Sequence, residues 1–158
     1  MQKPKRTPAG EALSALILDL FRLSSRMLAA GDRLVAGLGL TSARWQILGA
    51  IVAEQRSQPV AWIARNLGAN RQNVQRIVND LHREELVAFE TNPHHRRAQL
   101  VVLTEKGRQT YEAAMRLQAP WINGLAEGLV VKDVQAAGRI MAALQKKLER
   151  TDETEESD

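Results

Sequence analysis

The sequence predicts a mainly α-helical protein with a small β-wing: a winged helix-turn-helix core flanked by long N- and C-terminal dimerisation helices. Three observations carry this expectation. Apolar residues recur at helical spacing on both sides of the chain centre, two short β-type runs enclose a basic loop, and aromatics are only 4 % of the residues. A core of Leu, Ala, Val and Ile at intervals of three and four suits helices better than a sandwich. With 158 residues and 44 % apolar content, one domain with short appendages is the expected organisation.

Residues 1–10 hold two prolines, three bases and no periodicity, and are expected to form a flexible basic arm. From about Glu11 to Leu38, Leu13, Ile17, Leu20, Met27, Leu34 and Leu38 fit one side of a long helix that Gly37 and Gly39 end. Thr41 is an N-cap for a second helix through Trp45, Leu48, Ile51 and Val52 to about Glu54. Pro59 suits the start of a third helix, whose inward face is Val60, Ile63, Ala64 and Leu67. Gly68 and Asn70 bracket a turn of helix-turn-helix length, and Asn70 caps a fourth helix to about Glu85. That helix buries Val74, Ile77, Val78 and Leu81 and turns Arg71, Gln72, Gln75, Arg76 and Asn79 outward. Val87–Thr91 and Gln99–Leu103 form a hairpin joined by Asn92-Pro93-His94-His95-Arg96-Arg97. Thr104 then caps a long helix through Tyr111, Met115, Trp121, Ile122 and Leu125, which Pro120 should kink or interrupt. A last helix, with no good cap among Val130, Val131 and Lys132, carries Val134, Ala137, Met141, Leu144 and Leu148. The final stretch, 151–158, holds five acids and no base and is expected to be a disordered tail.

Charge and composition narrow the function classes. The net charge is +4, but without the acidic tail 13 acids stand against 22 bases, a balance of +9. Between Arg56 and Arg83 five arginines meet one acid, Asp80, which is the footprint of a surface for a polyanion. The absence of cysteine closes disulfide, thiolate-metal and thiol-redox chemistry. No apolar run approaches the ~20 residues of a membrane span, and no signal-peptide core follows the basic start, so a cytoplasmic location with no membrane partner is expected. The acids are scattered, with no nucleophile elbow or phosphate-binding glycine loop, so no enzyme activity is expected. His82, His94 and His95 lack converging carboxylates, and neither a metal site nor a cofactor is expected.

The chemistry that remains is double-stranded DNA recognition. Gln72, Gln75 and Arg76 stand in the first two turns of the fourth helix, where forked donors and acceptors meet base edges. Arg71 and Asn73, close to the helix start, are placed for phosphate. Arg96 and Arg97 at the hairpin tip suit the backbone or minor groove. The terminal helices bear more apolar surface than a small winged core covers, so a homodimer is expected, and its twofold axis would match a palindrome. An architectural winged-helix protein that binds DNA without sensing a signal is the alternative; preference for its own upstream DNA by at least ~10³ separates the two.

Three motifs in this order resemble the multiple-antibiotic-resistance repressor (MarR) family of bacterial transcription regulators. They are Leu40-Thr41 followed by Trp45 and Leu48, Ile63–Gly68 followed by Arg71–Val78, and Leu103-Thr104-Glu105-Lys106-Gly107. The resemblance implies a domain over 11–150, with the winged helix-turn-helix at about 41–104 and dimerisation helices at about 11–38 and 105–150. It implies a sequence-specific regulator, a repressor by the family's commonest action, released by a small aromatic or phenolic effector bound between dimerisation helices and winged core. Met27, Trp45, Tyr111 and Met115 are the residues expected at that site. The wing tip departs from the family's Asp-x-Arg: His95, Arg96 and Arg97 keep the arginine and replace the carboxylate that would orient it. Glu85 stands where the family commonly has glycine at the end of the reading helix, a departure that bears on the local turn geometry and not on the fold.

Overall fold

The computed structural model describes residues 5–54 and 56–155, and the chain divides into two units, Met1–Ala119 and Pro120–Asp158. The first unit opens with helix α1, Pro8–Val35, for which the Thr7 hydroxyl accepts the Gly10 amide at 3.1 Å. With Thr7 as cap and Pro8 in the first turn, the helix starts before the expected Glu11 and shortens the basic arm. Residues 1–4 of that arm lie outside the described residues. A 3-10 turn, Ala36–Leu38, leads to α2, Ser42–Ala53, capped by Thr41 as the sequence predicts. The two helices are pinned at their crossing: the Ser42 amide donates to Asp32 Oδ1 at 2.6 Å and its hydroxyl donates to the Leu28 carbonyl at 2.7 Å.

Helix α3, Val60–Leu67, and helix α4, Arg71–Arg83, are joined by a three-residue turn. Gly68 enters it at φ 59°, the left-handed region that costs glycine nothing, and its amide turns back to the end of α3. Asn70 Oδ1 then accepts the amides of Gln72 and Asn73 at 2.9 and 3.2 Å. The inward faces of α3 and α4 meet Ile47 and Leu48 of α2; Ile63, Val74, Val78 and Leu81 are fully buried there. Burial of each such side chain stabilises by about 1.5–3 kcal/mol.

The sheet is antiparallel, with strands β1 (Gln58–Pro59), β2 (Val87–Glu90) and β3 (Leu100–Leu103) in the order β1-β3-β2. Val87 pairs with Leu103, Glu90 with Leu100, and Gln58 with Val101. Strand β1 was not expected: two residues carry no periodicity, and Pro59, predicted at the start of the third helix, is its N-cap and also pairs with Leu100. Helix α4 ends two residues earlier than predicted because the Leu86 amide returns to the Leu81 carbonyl at 2.9 Å. Glu85 closes that turn at φ 62°, the one described residue other than glycine with a positive φ. An L-residue pays roughly 1–2 kcal/mol in this region, partly offset by the greater unfolded freedom of glycine. Glu85→Gly is therefore expected to raise stability by about 0.5–1 kcal/mol, read as a higher midpoint in thermal unfolding at fixed protein concentration.

Helix α5, Glu105–Ala126, starts against this turn. Thr104 caps it by accepting the Gly107 amide at 3.0 Å, while its own hydroxyl donates to the Glu85 carbonyl at 2.6 Å. Lys106 Nζ donates to the Glu84 carbonyl at 2.7 Å. Gly107 is buried because the backbone of Leu86 crosses directly over it. The expected interruption at Pro120 does not occur: α5 stays helical to Ala126, since a proline removes one donor and the neighbouring bonds persist.

In the second unit, Gly128 at φ 77° separates the end of α5 from α6, Val131–Glu155. Helix α6 runs through the first part of the acidic stretch that was expected to be unstructured; nothing in Thr151–Glu155 breaks a helix, and glutamate favours one. Residues 156–158 of that stretch lie outside the described residues. Val131, Val134, Ile140, Met141 and Leu148 are exposed on this unit, as are Leu16, Phe21 and Leu23 on α1 of the first. Among the described residues no single helix is long and apolar enough to cross a membrane.

Candidate nucleic-acid interface

The residues predicted to meet DNA stand on two elements of the first unit, α4 and the loop between β2 and β3. On α4, Arg71, Gln72, Asn73 and Arg76 are exposed, while Gln75 is half-buried rather than fully outward as predicted. The correction has a local cause, because Gln75 lies at the foot of a groove between α4 and the wing and its Nε2 donates to Asn79 Oδ1 at 2.9 Å. Arg76 is also tied along its own helix. Its guanidinium donates to Asn73 Oδ1 at 2.9 Å and lies 3.8 Å from Asp80, which also pairs with Arg83.

The wing loop is braced from within. Asn92 Nδ2 donates to the Ala98 carbonyl at 3.0 Å, and its Oδ1 accepts the His94 amide at 3.0 Å. The Ala98 amide closes on the His95 carbonyl at 3.0 Å. Arg96 and Arg97 are exposed at the tip, and neither has a carboxylate partner among the described residues. At the base of the wing, His82 Nδ1 lies 3.1 Å from the Val87 carbonyl and its ring meets Phe89 edge-on at 5.0 Å. This packs the end of α4 against the strand that launches the loop.

Between these elements lies a groove of about 1000 Å³ that brings together Arg71 and Gln75 of α4 with His94, His95 and Arg97 of the wing. No Asp or Glu lines it. A second cleft of about 490 Å³, across α4, contrasts with it: there Arg76 and Arg83 share Asp80, and Arg44 pairs with Glu84 at 2.6 Å. Positive charge is thus compensated on one side of α4 and left open on the other. Gln72, Asn73 and Arg96 line neither space.

One groove residue, Trp62, escaped sequence reasoning, and Arg56 entered it only as part of the basic stretch. Trp62 of α3 is 52 % exposed in the groove, and the Arg56 guanidinium carbon stands 5.3 Å from the centre of its ring. The signal was present, because Trp62 falls off the Val60, Ile63, Ala64, Leu67 face and has no core to enter. The four residues expected at an effector site, Met27, Trp45, Tyr111 and Met115, are each half-buried. Trp45 and Tyr111 pack on the core, with Tyr111 lying over Gly49 of α2. None of the four lines the groove, the cleft at Arg44 or a smaller cleft near Ile51. Among the described residues no group of three or more His, Asp or Glu side chains is placed to hold a metal ion.

Comparison with known proteins bears on this surface. The MarR family model matches residues 38–98, the stretch from the end of the 3-10 turn to the wing. The uncharacterised protein Rv2011c of Mycobacterium tuberculosis is 36 % identical over 126 residues, 80 % of this chain and 87 % of its own length. The transcriptional activatory protein BadR of Rhodopseudomonas palustris is 32 % identical over 106 residues, covering 65 % of this chain and 59 % of BadR. The transcriptional repressor CouR, solved on a 23-mer DNA duplex, superposes with a TM-score of 0.74 at 26 % identity, over 89 % of this chain and 99 % of that one. A structure of CouR from Rhodococcus jostii RHA1 bound to p-coumaroyl-CoA superposes with a TM-score of 0.72 at 20 % identity, over 79 % of this chain and 87 % of that one. The winged core with its open basic groove, the matching family model over that core and the likeness to these regulators agree: the chain belongs to the MarR family of transcriptional regulators.

Proposed function

We propose that this regulator binds a palindromic operator as a homodimer, laying α4 in the major groove and the wing along the flanking minor groove, and that it acts as a repressor. The observation that carries the reading is the groove between α4 and wing, where Arg71 and Arg97 stand with no carboxylate partner among the described residues. Exposed guanidiniums with no acid beside them make a positive surface that a phosphate backbone complements. Gln72, Gln75 and Arg76 read bases, Arg71 and Asn73 hold phosphate near the helix start, and Arg96 and Arg97 reach from the wing. Repression is supported by the likeness to the transcriptional repressor CouR, solved on a DNA duplex.

Release by a small aromatic or phenolic ligand at Met27, Trp45, Tyr111 and Met115 completes the reading. Half-buried aromatic and thioether side chains at the edge of a core supply adaptable apolar contacts, and CouR from Rhodococcus jostii RHA1 has been solved bound to p-coumaroyl-CoA. Such a ligand lowers DNA affinity only by binding the DNA-incompetent form better than the competent one.

The test is a pair of substitutions measured on the protein's own upstream DNA and on a random duplex of equal length. Arg97→Ala is expected to weaken both and to flatten the salt dependence by about one unit of slope, the mark of one lost phosphate contact. Gln72→Ala is expected to cost about 1–3 kcal/mol on the cognate duplex and little on the random one. Equal losses on both duplexes for Gln72→Ala would remove it from the readers of sequence.

A further inference from the structure

We propose that Trp62, braced by Arg56, is a third contact to the duplex: a platform on α3 that takes one deoxyribose and its phosphate from the strand beside the groove. The inference rests on the duplex-docking reading above and extends it beyond the reading helix and the wing.

A lone exposed aromatic needs no explanation, since apolar atoms supply much of any protein surface. What singles out Trp62 is its surroundings. It is the largest side chain of α3, it stands half in water, and a guanidinium covers its ring at 5.3 Å. Arg56 forms no ion pair among the described residues, although Glu54 lines a neighbouring cleft with it, and its guanidinium rests over the indole. Both residues line the groove that holds Arg71 and Arg97.

The partner's chemistry follows from that company. An apolar protein surface docking on Trp62 would strip water from three guanidiniums without offering them an acceptor, which is unfavourable. A backbone of alternating sugar and phosphate meets both needs at once. The apolar edge of the sugar covers the indole, the indole N–H donates to a phosphate oxygen, and Arg56 supplies the charge. Neither group reads a base edge, so this contact adds affinity without sequence preference.

The experiment measures binding of fluorescently labelled cognate and random duplexes at several salt concentrations, with the full chain. Trp62→Ala is expected to weaken binding to both duplexes by the same factor, about fivefold to tenfold. Arg56→Ala is expected to weaken both and to lower the salt slope by about one unit. The double variant should lose less than the product of the two single losses, because each side chain positions the other. Trp62 is exposed, so a thermal midpoint equal to that of the unmodified chain serves as the control for folding. If Trp62→Ala binds both duplexes as the unmodified chain does while Arg97→Ala is weakened, the platform is overturned and the docking reading stands. If Trp62→Ala loses affinity on the cognate duplex alone, Trp62 reads a base and the backbone assignment is overturned. If the unmodified chain binds no duplex, the docking reading itself fails and the platform with it.

Discussion

Gly107→Ala is expected to lower stability by about 3 kcal/mol, which for a chain of this size corresponds to a fall of roughly 6–12 °C in the unfolding midpoint. Two effects oppose each other. Alanine gains about 1 kcal/mol over glycine in helix propensity, since Gly107 lies within α5. Against that, a Cβ at position 107 would overlap the Leu86 carbonyl oxygen, with the Leu86 carbonyl carbon at 2.9 Å and Leu103 Cδ2 at 3.3 Å. The obstacle is backbone, and it is fixed on both sides. The Leu86 amide is bonded to Leu81 at 2.9 Å and its carbonyl accepts the Thr104 amide at 3.2 Å. Relief therefore requires moving α5 away from the end of α4 and the start of β2, which opens the core at Leu81 and Val87. Chemical or thermal denaturation at fixed protein concentration checks this, and an unchanged midpoint would contradict the close approach of α5 to Leu86.

The second large effect concerns assembly. Deleting the chain from Val131 is expected to convert a dimer to a monomer in sedimentation analysis at micromolar concentration. Operator affinity should fall with it by about 10²–10⁴-fold, because two linked half-site contacts become one. The basis is exposed apolar side chains on each unit: Val131 is 71 % exposed and Leu148 66 % exposed in the second, and Phe21 is 66 % exposed on α1 of the first. Exposed apolar side chains in such numbers are what the proposed dimer interface would cover. Met141→Glu combined with Leu148→Glu tests the same face without shortening the chain, and should give the same shift in mass. An unmodified chain that sediments as a monomer would remove the palindrome from the proposal.

The fold was legible wherever a cap preceded a periodic run. Thr41, Asn70 and Thr104 each accept the amides that their positions before an apolar stripe predicted, so the starts of α2, α4 and α5 follow the sequence. Glu85 was also legible, as a residue standing where glycine is easier, and it takes the left-handed turn. What local pattern could not show was pairing at a distance. Strand β1 exists because Gln58 and Pro59 meet β3, and Gln58 is buried there although nothing around it reads as strand. Side-chain company in the site was hidden for the same reason. That Trp62 had no core to enter could be seen in the helical period; that Arg56 covers it could not, since the two come from different elements.

The bonds along α4 have a consequence for discrimination. Arg76 rests on Asn73 and Asp80, and Gln75 rests on Asn79, before any base is met. A side chain with no such resting place is left unsatisfied by the wrong base and imposes the full cost of a stranded donor. Here the wrong base lets the side chain fold back to a partner that it already has, so each mismatch is punished less. A helix built this way is a forgiving reader under the proposed docking: it tolerates degenerate half-sites, and its selectivity comes from the joint fit of two protomers rather than from strictness at any single base.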